Sequence, residues 1–138
     1  MGLRASARVV PGTLRQVVLV NDRHRLVTDQ PERAGGGGKG PSPHELLPAA
    51  LAACIVWALA SYARAKAWDL GDIRVEVDYD HRSTPRRFET TIRLTGELSP
   101  AQVGRLHKVA ADAACPLRRS LETGFTFAER IEVAQRAA

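Results

Sequence analysis

The sequence predicts an α+β domain, and three observations carry that reading. Two short runs rich in branched residues open the chain, a long apolar helical stretch fills its middle, and beyond Gly71 the hydrophobic period changes from helical to two. At 138 residues the chain suits one domain, 1–138.

Residues 13–20 (TLRQVVLV) read as a strand, and Asn21-Asp22 is a turn signal ahead of a second strand at 24–28. A loop follows at 29–42, containing GGGGKG. Four consecutive glycines suggest a flexible segment, either a mobile lid or a loop lying over a partner. It is not a phosphate-binding loop: Lys39 precedes Gly40 rather than Ser or Thr, and the opening glycine would have to be Arg33.

Ser42-Pro43 is a helix start, an N-cap residue followed by proline at the first helical position. The helix is expected to run to about Trp68, about 39 Å at 1.5 Å per residue, with a kink near Pro48. Residues 46–60 are apolar on every face, so the helix should be buried all round. A chain this short struggles to surround it, which points to a subunit interface. The same run is too short and alanine-rich for a bilayer, which needs roughly 20 apolar residues.

Ile73, Val75, Val77 and Tyr79 alternate with Arg74, Glu76, Asp78 and Asp80, and Phe88, Thr90, Ile92 and Leu94 repeat the pattern. The two segments should pair antiparallel with one wet face. Ser99-Pro100 with Gln102 has capping-box spacing, and Val103, Leu106, Ala110 and Ala113 should form that helix's buried stripe. Cys115-Pro116 opens a further short helix closed by Gly124. Residues 125–133 should supply a last strand.

The net charge of +5 raises nucleic-acid binding. The basic residues are scattered, all but Lys39, Lys66 and Lys108 are arginine, and aromatics make up 5% with no stacking motif, so no nucleic-acid partner is expected. No apolar signal core follows Met1, so a cytoplasmic protein without membrane contact is expected.

Two cysteines in such a chain are buried thiols, metal ligands or a redox pair. Cys54 sits in the apolar helix, where a small core residue is the plain reading. Cys115 precedes a helix N-terminus with Arg118 and Arg119 nearby, an environment that favours a thiolate. His44 and His107 lie ten and eight residues from the cysteines, spacings unlike those of compact zinc ligand pairs, so no metal is expected.

GPSPHELLPAALAAC, then a strand hairpin, then LSPAQVGRLHKVAADAACPLRRSLETG resemble the OsmC/Ohr family of thiol peroxidases over residues 13–133. The resemblance implies antiparallel sheets around a long central helix in an intertwined homodimer with active sites at the subunit interface. It also implies that Cys54 attacks the hydroperoxide substrate, that Cys115 resolves the sulfenic acid to a disulfide, and that a cellular dithiol reduces the disulfide. No cofactor is implied.

The family's peroxidases carry a glutamate ten residues before the attacking cysteine, to hold a catalytic arginine. Here that position is His44, with Glu45 next to it. Arg33 is the counterpart of the arginine in the OsmC branch, and Arg23 is the second choice by analogy with the Ohr branch. The alternative to a peroxidase is a non-peroxidatic dimer of the same fold that binds an apolar ligand or partner at the interface cleft.

Overall fold

A computed structural model of the chain describes residues 2–112 and 116–133. Three strands, β1 (Ala5–Val9), β2 (Gln16–Val20) and β3 (His24–Thr28), form an antiparallel sheet in the order β1-β2-β3. The β2–β3 turn places Asn21 and Asp22 at φ 51° and 55°, the left-handed region that Asn and Asp tolerate best among residues with a side chain. The expected first strand begins only at Gln16, because Thr13 turns back to the Val10 carbonyl. β1 is an addition: its sequence, ASARV, has little strand propensity and all five residues are exposed, so pairing with β2 holds it.

The helix begins as a 3-10 turn, Pro43–Glu45, capped by Ser42, whose hydroxyl accepts from the Glu45 N–H. It continues as α1, Leu46–Lys66, and ends at Ala67 in the left-handed conformation. The change from 3-10 to α lies just before Pro48. Proline thereby occupies the first α turn, where backbone N–H groups have no intrahelical partner to lose.

Gly71 reverses the chain at φ 65°, where a Cβ would lie 2.7 Å from the Gly96 nitrogen. Strands β4 (Ile73–Asp80) and β5 (Arg87–Leu94) then pair antiparallel, with Val75 opposite Ile92 and Tyr79 opposite Phe88. The alternation expected of them is observed. On the wet face Arg74 and Arg93 stand opposite each other, and Glu76 offsets the repulsion by bridging both at 3.0 and 2.8 Å. Helix α2 (Pro100–Ala111) carries the full capping box between Ser99 and Gln102, and α3 (Pro116–Thr123) follows.

The core lies between α1, the inner face of β4–β5, and α2. Leu51, Ile55, Ala58, Leu59 and Ala63 of α1 meet Leu106, Val109 and Ala110 of α2. Leu106 and Ala110 are buried as expected. Val103 is 51% exposed, and Val109 completes the stripe in its place. Ala113 lies outside the described residues.

Ala49, Ala50, Ala53, Trp57 and Ala60 are exposed along one side of α1 in the single chain, as expected of a helix that one short chain cannot surround. One expectation needs correction. Residues 125–133 form no strand, because no neighbouring strand supplies ladder partners, and Phe127, Ile131 and Val133 are open to solvent. The helical segment stops two residues before the expected Trp68, yet as a whole it has the length that the apolar run 46–60 lacks. Pro43–Lys66, 24 residues with a mean hydropathy of 1.9, is long and apolar enough to cross a membrane by length and composition. Packing argues against that role: β4 lies along α1, and a bilayer around the helix would immerse Arg74, Glu76 and Asp78 in lipid.

The first sheet stands apart from this core. None of its residues belongs to the core cluster, although Val17, Val18 and Val20 are half-buried within the sheet itself.

Candidate functional site

Cys54 lies midway along α1, half-buried, packed against the core and bordered by exposed Ala53 and Trp57. Leu51, one turn before it, and Ile55, next to it, form part of the floor of an open cleft of about 580 Å3. Phe88 and Ile92 of β5 complete the apolar floor, and Arg86, His107 and Arg118 stand around it. Arg118 is paired with Glu122 at 2.9 Å. His107 is exposed at this cleft.

Cys115 lies outside the described residues. Its successor Pro116 opens α3, which packs against α1 and sets Leu117 against the core. The elements that carry the two cysteine motifs are therefore neighbours.

His44 is exposed in the 3-10 turn, with its ring edge-on to Tyr79 at 5.3 Å and to His81 at 5.1 Å. Tyr79 in turn stacks on Phe88 at 4.5 Å. Glu45 is exposed, and its side chain makes no hydrogen bond or ion pair among the described residues. At 1.5 Å per residue, the ten residues from His44 to Cys54 span about 15 Å along the axis. One chain thus places His44 at the end of the hairpin rather than beside the thiol.

Neither arginine reaches Cys54 within the chain. Arg23 is exposed after the β2–β3 turn, and Arg33 is exposed in a 3-10 turn, Glu32–Ala34. Neither guanidinium joins a hydrogen bond or ion pair among the described residues.

The loop around Arg33 is folded on hydrogen bonds of its own. The Asp29 N–H donates to the Pro41 carbonyl at 3.0 Å and closes the loop at its base. The Asp29 side chain is 2% exposed and accepts three backbone N–H groups, from Gln30 at 2.9 Å, Gly37 at 3.2 Å and Lys39 at 3.1 Å. The Lys39 N–H does most to hold the Asp29 carboxyl below its ordinary range; burial opposes this, and Gln30, Gly37 and the charge of Arg15 add to it. The glycines serve close approach. A Cβ at Gly36 would overlap the Gln30 carbonyl, and one at Gly40 would lie 2.5 Å from the Val27 oxygen. Sequence reasoning missed Asp29, although an aspartate just after a strand and before a glycine-rich loop is a recognisable N–H acceptor. It also missed Tyr79 and His81 as neighbours of His44. No group of three metal-ligating side chains occurs among the described residues.

The family model described as OsmC-like protein matches residues 36–130. No curated protein matches the chain. Among solved structures, an OsmC-like protein from Mycoplasma pneumoniae superposes with a TM-score of 0.72 at 16% identity, covering 88% of each chain. A provisionally named osmotic stress induced and detoxification response protein from Psychrobacter arcticus 273-4 gives 0.69 at 24% identity, over 83% of this chain and 85% of that one. An organic hydroperoxide resistance protein OsmC from Legionella pneumophila gives 0.61 at 22% identity, over 86% and 88%. At these identities the likeness is one of fold.

Proposed function

Because the chain belongs to the OsmC-like family, we propose that it is a thiol-dependent peroxidase in which Cys54 reduces hydroperoxides and Cys115 resolves the product. The observation that carries this reading is the packing of α3, which Pro116 opens directly after Cys115, against the helix that bears Cys54. The hydroperoxide resistance named for the Legionella pneumophila structure supports the same chemistry.

The Cys54 thiolate attacks the distal oxygen of ROOH. The O–O bond breaks, a new S–O bond forms, and the alkoxide leaves and takes a proton as ROH, so that Cys54 becomes a sulfenic acid. The Cys115 sulfur displaces the hydroxyl as water and forms a disulfide. A cellular dithiol then returns both thiols and is itself oxidised. The cleft's apolar floor suits an organic R group, and a substrate there would lie against Leu51 and Ile55 on either side of Cys54 in sequence.

The working unit in this reading is a homodimer. The exposed apolar side of α1, the first sheet outside the core and the unpaired residues 125–133 are three surfaces that a second copy would cover. Arg33, with Arg23 as the alternative, meets Cys54 across that interface and favours its thiolate. His44, beside Tyr79 and His81, takes the place of the family's glutamate as the arginine's acceptor; about 15 Å along the helix from its own Cys54, it serves the thiol of the other copy, and Glu45 stays in solvent.

A second reading, a non-peroxidatic dimer binding an apolar ligand, draws on the same cleft and on imidazole where the family has a carboxylate. One assay separates the two: reduced protein is mixed with cumene hydroperoxide or hydrogen peroxide and its thiols are counted with time. Rapid thiol loss supports the peroxidase, and thiols that persist through excess peroxide support the binding protein.

A further inference from the structure

The arginine assigned above is exposed at the crown of a loop, yet a side chain that sets a thiolate's stability must arrive in one place. The loop has the means to fix it. Asp29 directly follows β3, the last strand of the first sheet, and its buried carboxylate gathers N–H groups from both ends of the loop: Gln30 at the start, Gly37 and Lys39 at the finish. Backbone bonds complete the ring. Gly38 donates to the Gln30 carbonyl at 3.0 Å, Ala34 and Gly36 donate to Pro31, and Gly35 donates to Glu32. Gly35, at φ 87°, ends the turn that presents Arg33.

No other side chain bonds to these loop N–H groups among the described residues. The carboxylate therefore does what a packed core does elsewhere, in a segment with almost no apolar side chains. We propose that Asp29 is a positioning residue of the thiol site, one that acts through Arg33 by fixing the loop that carries it. This inference rests on the peroxidase reading and on its assignment of Arg33, and it adds a residue that touches neither substrate nor thiol.

Asp29→Asn is the direct probe. Whichever way the amide is turned, one N–H of its side chain faces a backbone N–H that the carboxylate now receives. Gly37→Ala is the milder second probe, since its Cβ would sit 3.3 Å from the Asp29 carboxylate and press on its seat without removing the charge. Val18→Ala, in β2 of the same sheet, serves as a control for lost stability alone.

The readout is the pH dependence of Cys54 alkylation by iodoacetamide in the full-length Cys115→Ser protein, which has a single thiol. Folding is checked by circular dichroism. Arg33→Ala and Asp29→Asn are both expected to slow alkylation roughly tenfold below the thiol's midpoint, equivalent to a midpoint about one pH unit higher. Gly37→Ala should move the rate in the same direction by less, and Val18→Ala should leave the profile in place. The Asp29→Asn, Arg33→Ala double variant should match Arg33→Ala alone, because the two act as one.

Slow alkylation in Arg33→Ala beside unchanged profiles in folded Asp29→Asn and Gly37→Ala overturns this inference and leaves the thiol site as assigned. Effects that multiply in the double variant overturn it too. An unchanged profile in Arg33→Ala removes Arg33 from the site, and the inference falls with it. If Asp29→Asn does not fold, the comparison of Gly37→Ala with Val18→Ala decides.

Discussion

Trp57→Ala tests whether the exposed side of α1 is an interface. The indole is 63% exposed in the single chain. A tryptophan buries up to about 150–250 Å2, so roughly 95–160 Å2 of it remains for a partner to cover. At about 25 cal/mol per Å2 this is about 2–4 kcal/mol per copy, and in a two-fold dimer each association covers it twice. Ordering costs consume part of the gain, which leaves an expected loss of at least about 3 kcal/mol, or a hundredfold or more in the dimer dissociation constant. If the side chain faced only water, its removal would change stability by less than about 0.5 kcal/mol. Sedimentation equilibrium on wild type and variant measures the constant directly. A wild-type monomer at micromolar concentration, or equal constants for the two proteins, would refute the reasoning.

Other expectations follow from the same packing and charges. Leu59, fully buried, should cost about 3–5 kcal/mol on change to Ala, whereas Val103→Ala, half-exposed, should stay within about 0.5 kcal/mol; urea unfolding of both compares them. Asp29 is held below its ordinary 3.8 when folded, so its contribution is fully present above that value and is lost as pH falls through the lower folded one. The stability gap between wild type and Asp29→Asn should therefore narrow from pH 6 to below pH 3, and a gap independent of pH would count against the three N–H bonds. His44→Glu should speed Cys54 oxidation by organic hydroperoxide and Glu45→Gln should change it little, since a carboxylate binds arginine more strongly than neutral imidazole. Stopped-flow rates showing a large loss with Glu45→Gln and none at His44 would exchange their roles.

The order of elements was legible because each rests on local signals. The hairpin's alternation, the Ser99–Gln102 capping box and the Ser42-Pro43 start all survive in the structure. Strand β1 was hidden because ASARV has no pattern of its own and exists through β2. The opposite error occurred at 125–133, where a last strand was expected but no neighbouring strand pairs with it in the chain. Helix α1 posed a different problem. Its apolar residues surround it, so sequence could not separate the face for Leu106 and Val109 from the face left open at Ala53 and Trp57.

The site was less legible than the fold. Both cysteines stand out by motif, yet the arginine does not, because Arg23 lies in a turn and Arg33 in a loop attached to the first sheet, no residue of which joins the core around α1. The glycine loop was ambiguous for a physical reason: glycine permits flexibility and close backbone approach alike, and the close approach shows only in the carbonyls beside Gly36 and Gly40. Asp29 became visible through the convergence of three N–H groups, a property of the folded backbone.

Thiol stoichiometry in three reduced proteins, each given one equivalent of cumene hydroperoxide without a reductant, tests the central claim most directly. Wild type should lose two thiols per peroxide consumed as Cys54 and Cys115 join. Cys115→Ser should lose one and hold a trappable sulfenic acid, and Cys54→Ser should lose none on the same timescale. Thiol loss in Cys54→Ser at the wild-type rate, or no loss in any of the three, would contradict the account.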